Sequence, residues 1–123
     1  MDLKSEKSGK ALVVRVEGEL DLSTAAEFRV QVDADLDRLG ARDLVLDFTR
    51  VTFVDSSGLG AILGRYKRVT EGGGRVALCG VSDHVRRLLE ISGVMRVLLT
   101  FPSVPEALRA LGPMQTAVGG ERS

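Results

Sequence analysis

The chain has 123 residues, 44% hydrophobic and 28% charged, and its 17 basic residues balance 17 acidic ones. Those proportions give room for one domain with one core and exclude a disordered or fibrous chain. With no net charge there is no global field to favour nucleic acid or an anionic membrane, so a partner must be read by shape and local charge.

Residues 1–10 are rich in charge, and the apolar run at 11–16 is too short for a signal-peptide core or a membrane span, which predicts a cytoplasmic protein. Leu12, Val14 and Val16 alternate with Arg15 and Glu17 as in a half-buried strand that Gly18 ends. Leu3 suits a short edge strand before it, with residues 4–9 as an exposed turn. Ala25, Phe28, Val32 and Leu36 then form the stripe of a helix, with Ser23 as N-cap, Glu27 completing a capping box and Gly40 as the stop. Leu44, Val45 and Leu46 are continuous, as in a strand covered on both faces, and Asp47, Thr49 and Arg50 form a turn after it.

Val51, Phe53 and Val54 supply the next strand, and Leu59, Ile62, Leu63, Tyr66 and Val69 recur at helical spacing. A strand therefore hands over to a helix at Asp55-Ser56-Ser57-Gly58, where Ser56 or Ser57 is the expected N-cap. Gly72-Gly73-Gly74 ends that helix, and with no Lys-Ser or Lys-Thr after it the run is not a phosphate loop. Residues 75–79 read as a strand. Ser82 or Asp83 caps a helix with Val85, Leu88 and Leu89 inward, Gly93 breaks it, and residues 97–101 form a last strand. Val104, Ala107, Leu108 and Leu111 give a final helix its apolar face, and residues 113–123 are small and polar enough for a flexible tail.

Enzymatic chemistry finds little support. A nucleophile elbow needs glycine two positions before its serine, whereas Val54 and Asp55 precede the serine pair. His84 has no second histidine for a metal, Cys79 has no disulfide partner, and Leu63 occupies the third glycine position of a dinucleotide fingerprint begun by Gly58 and Gly60. What stands out is a serine at the positive end of a helix, with glycines beside it that let another chain come close.

Asp55-Ser56-Ser57-Gly58-Leu59-Gly60, preceded by Phe53 and followed by Ile62-Leu63-Gly64-Arg65-Tyr66-Lys67, resembles the phosphorylation segment of anti-sigma factor antagonists, small STAS-domain proteins. The Gly-Arg-Tyr-Lys continuation is most similar to the sporulation branch of endospore-forming bacteria. The resemblance spans roughly residues 12–111 and implies a small single-domain α/β STAS fold over residues 1–112, a mixed sheet of four to five strands with about four helices mainly on one side. It also implies that Ser57 is the phosphoacceptor and that Asp21 is the family's acidic residue near it. Asp55, Ser56, Gly58, Leu59, Gly60 and Arg65 would then shape or line a docking surface.

The implied partners are an anti-sigma factor that is also a serine kinase and a PP2C-type phosphatase, with no direct nucleic acid and no membrane. The chain itself needs no cofactor and is not an enzyme, because ATP and Mg²⁺ belong to the kinase. Two alternatives stay open: a nucleotide-binding or weakly nucleotide-hydrolysing domain using the helix terminus at Ser57, and an interaction module of a stress-signalling complex.

Overall fold

The structure, a computed structural model, describes residues 1–112, so the expected tail at 113–123 lies outside the described residues. Its elements are β1 (Asp2–Ser8), β2 (Ala11–Leu20), α1 (Ala25–Leu39), β3 (Asp43–Val54), α2 (Ser56–Glu71), β4 (Val76–Cys79), α3 (Asp83–Ser92), a 3₁₀ turn (Val94–Arg96), β5 (Leu99–Phe101) and α4 (Val104–Leu111). The five strands lie in the order β1-β2-β3-β4-β5, with β1 antiparallel to β2 and every other pair parallel. Each parallel pair is bridged by a helix, as crossover connections require.

Strand alternation sorts the core into two layers. Leu12, Val14, Val16, Leu44, Leu46 and Leu78 face Phe28 and Val32 of α1, Ile62 of α2, and Val85 and Leu89 of α3. Ala11, Val13, Val45, Ala77 and Cys79 face Ala107 and Leu111 of α4. Burial pushes the Cys79 thiol up to about 12, with the charge of Asp47 adding to it, so this cysteine is an inert core residue.

The structure differs from the sequence expectations at four places in this frame. Residues 4–8, expected as a turn, complete β1; its mostly exposed Lys, Glu and Ser side chains are those of an edge strand, whose outer rim solvates charge. Gly18 does not end β2. With φ +113 it sits between two register shifts and lets the strand run on to Leu20. Asp47 and Thr49 do not break β3 either: Asp47 Oδ1 accepts from Thr49 N at 3.0 Å inside one continuous strand. Val97 and Leu98 precede β5, because a 3₁₀ turn takes up the chain after Gly93.

One consequence matters for the site. β3 pairs with β4 only from Leu44 to Asp47, whereas its pairing with β2 continues to Leu20↔Val54. The far ends of β2 and β3 therefore form a two-stranded extension beyond the body of the sheet, and the candidate serine follows it directly.

Candidate functional site

Asp55, at the end of that extension, is the N-cap of α2: its backbone is extended (φ −104, ψ −171) and its Oδ1 accepts from Gly58 N at 2.9 Å. The serines expected to cap are instead the first two residues of the helix. Asp, Ser and Thr are near-equal caps, and the residue that takes the role is the first of them after the strand ends at Val54. Asp55 N also donates to Leu20 O at 3.2 Å, closing the end of β3 onto β2.

Gly58 explains how tightly this turn is seated. A Cβ there would collide with the carbonyl oxygen of Leu20 and lie 2.9 Å from Leu20 Cγ. Gly58 is buried, so it shapes the site from beneath and offers no surface. Ser56 and Gly60 are exposed, Ser57 is half-buried, and Leu59 is partly buried against the core. Among the described residues, none forms a hydrogen bond with the Ser57 hydroxyl, and its oxygen is not sealed from solvent.

Asp21 organises the neighbouring turn. Its Oδ1 accepts from Ser23 N at 3.0 Å, Ser23 Oγ at 2.8 Å and Thr24 Oγ1 at 3.2 Å. The Ser23 hydroxyl bond, with the other donors, holds the Asp21 carboxyl below the usual carboxylate value, against an opposing effect of desolvation. Ser23 is thus a donor to Asp21 and not the α1 cap; Thr24 holds the cap position without a side-chain cap bond, its hydroxyl donating to Glu19 O at 2.8 Å. The turn joins the serine segment through Leu22, whose N–H donates to Asp55 Oδ2 at 3.1 Å. Leu22 itself is 79% exposed.

Of the residues expected at the site, Asp21, Asp55, Ser56, Ser57, Gly58, Leu59 and Gly60 thus gather at the carboxyl ends of β2 and β3. Arg65 does not belong with them. Its side chain is only 8% exposed and lies between α1 and α2, with Nε 3.0 Å from Asp33 Oδ1. The approach is that of an ion pair without hydrogen-bond alignment, which leaves Arg65 Nη1 buried and unpartnered. Burial pulls the Arg65 guanidinium below its ordinary value, Asp33 opposes this, and Arg29 and Arg68 add to it.

The reason is periodicity. Arg65 shares the face of Ala61, Ile62 and Val69, while the exposed stripe of α2 runs Ser56, Gly60, Leu63, Lys67. Leu63, expected inside, is 40% exposed on that stripe, and Phe53 is 37% exposed. Leu22, Phe53 and Leu63 are thus apolar surface residues that the sequence reading did not place at the site. Their signal was present in Leu22, a large apolar residue in a polar turn.

No group of three His, Cys, Asp or Glu able to hold a metal occurs among the described residues, and no helix there is long and apolar enough to cross a membrane. Two grooves lie away from this segment. A groove of about 950 Å³ is lined by Ser8, Lys10, Arg42 and Leu111 near the start of β2, and a smaller one by Lys4, Arg15 and Arg50 on the polar sheet face. Ser57 lines neither of these grooves.

A five-stranded mixed sheet with four helices in this order is the fold of the STAS domain, and the chain belongs to that family: residues 2–107 match it. Within the family it is similar to the anti-sigma F factor antagonist of Paenibacillus polymyxa, 38% identical over 90% of this chain and 95% of that one. The crystal structure of a Thermotoga maritima protein superposes with a TM-score of 0.83 at 22% identity, covering 89% of this chain and 93% of the other. The Bacillus cell fate determinant SpoIIAA, in its phosphorylated form, gives a TM-score of 0.69 at 25% identity, covering 89% and 98%.

Proposed function

We propose that this chain is a cytoplasmic anti-sigma factor antagonist whose binding is switched by phosphorylation of Ser57. Unmodified, it binds an anti-sigma factor that is also a serine kinase, and the sigma factor is released. The kinase, with its own ATP and Mg²⁺, phosphorylates Ser57 and thereby frees itself; a PP2C-type phosphatase restores the hydroxyl. The chain is substrate and ligand, not catalyst.

The observation that carries this reading is the Ser57 hydroxyl: accessible, without a protein hydrogen-bond partner among the described residues, and set in the first turn of α2. The antagonist relatives and the phosphorylated state of SpoIIAA support it. Leu22, Ser56, Gly60 and Leu63 offer a docking surface of small and apolar groups. Phosphate adds roughly −1.5 to −2 charges. The helix start tolerates that charge in the free protein. Burying it against a partner beside Asp55 costs several kcal/mol, and about 2.7 kcal/mol already lowers affinity a hundredfold.

Intact mass after incubation with the cognate anti-sigma kinase and ATP tests the acceptor. Ser57→Ala should take up no phosphate while retaining fold and anti-sigma binding; full incorporation in that variant rejects Ser57. Ser57→Asp should bind weakly in calorimetry, and wild-type affinity rejects the electrostatic switch.

A further inference from the structure

The carboxylate of Asp55 serves two segments far apart in sequence. Oδ1 caps Gly58 N at 2.9 Å and Oδ2 holds Leu22 N at 3.1 Å. Residues 21–24 are otherwise organised from within, by Asp21 and Thr24. Among the described residues the Leu22–Asp55 bond is the one hydrogen bond joining that turn to residues 55–58. The two bonds are unequal: the Gly58 bond is part-buried and belongs to the helix cap, whereas the Leu22 bond is exposed.

We propose that Asp55 is a positioning residue that reports the state of Ser57 to the Leu22 turn. This rests on the reading of Ser57 as the modified residue. A phosphate on Ser57 lies in the same helical turn as the Asp55 carboxylate and carries like charge. The open amides of the first turn attract it, and the carboxylate yields at its weaker attachment. Oδ2 gives up Leu22 N while Oδ1 keeps the cap. Modification then does two things at once: it places a dianion on the docking surface and unfastens Leu22, the most exposed apolar side chain on it.

The test uses the full chain with phosphoserine encoded at position 57, so no kinase is needed, and measures exchange of the Leu22 amide by NMR with Leu46 and Ile62 as core references. Phosphate should speed Leu22 exchange at least fivefold and leave Gly58 and the references unchanged. Asp55→Asn has one acceptor oxygen and keeps the cap, so its unmodified form should already show the fast Leu22 exchange, and phosphate should add less than twofold. Asp55→Ser, also a good cap with a single oxygen, provides the same comparison should the first variant fold poorly.

A Leu22 amide indifferent to phosphate overturns the proposal, as does a phosphate effect undiminished in the Asp55 variants. A residue that merely stabilised the fold would not abolish the response. Loss of anti-sigma binding on phosphorylation with Leu22 unmoved leaves the switch standing and removes only this relay.

Discussion

Replacing Asp33 with Ala should be among the costliest single changes on the helical face, although Asp33 itself is partly exposed. Arg65 is 8% exposed and Asp33 28%, with 3.0 Å between Nε and Oδ1; Arg68 Nη1 reaches the same oxygen at 3.3 Å. At an effective dielectric of about 20, a charge pair at that separation is worth roughly 5 kcal/mol. The exposure of Asp33 discounts this to about 3 kcal/mol, the lower end for removing one partner of a buried pair.

The remaining carboxylate, Asp37, is already hydrogen-bonded to Arg68, so Arg65 would face Arg29 and Arg68 without compensation. At about 4 °C per kcal/mol the melting temperature should fall by roughly 12 °C, read by circular dichroism. Replacing Arg65 as well, with Met, should restore most of the loss, because an apolar group of similar size suits the site. An Asp33→Ala protein within about 1 kcal/mol of wild type would refute the reasoning, since Arg65 would then be solvated or paired elsewhere.

Arg65→Met alone should leave anti-sigma affinity unchanged in calorimetry, as expected of a residue inside the α1–α2 contact; a collapse of affinity with the fold intact returns Arg65 to the docking surface. Gly58→Ala should destabilise by about 1–2 kcal/mol in urea unfolding, because the backbone of Leu20 cannot step aside and the clash outweighs the gain in helix propensity; a stabilised variant would count against the close contact. The Asp21 carboxyl is lowered in the folded protein, so its contribution to the 21–24 turn is present above the ordinary value of 3.8 and is lost as pH falls through the lowered one. An acid titration followed at the Ser23 amide should show its midpoint below 3.8, and a midpoint at or above that value removes the hydrogen-bond account.

The helices and parallel strands were readable because their apolar spacing is the packing itself: Phe28, Val32, Ile62, Val85 and Leu89 are all buried where periodicity put them. The misreadings within β2 and β3 share a cause. Gly18, Asp47 and Thr49 carry turn chemistry, yet β2 and β3 absorb it as register shifts and an in-strand side-chain bond, because pairing across two long strands outweighs local preference. At the site, residue types alone placed a strand-to-helix turn at 55–58, and the family resemblance singled out Ser57. The division of labour within it was not legible. That Asp55 and not a serine caps α2 depends on where β3 stops, a fact of three-dimensional contact, whereas the inward turn of Arg65 follows the spacing of Ala61, Ile62 and Val69 and could have been read from it.

The long pairing of β2 with β3 has a bearing on recognition. Past Asp47 the third strand continues with a ladder neighbour on one side alone, for roughly 20 Å at strand rise. The serine-bearing turn is nonetheless seated on the main core, because Leu20, Val51, Val54 and Ile62 around it are all buried. The ribbon and the body of the sheet therefore share one interior, and whatever loosens that interior also loosens the ground on which the serines at its end are set.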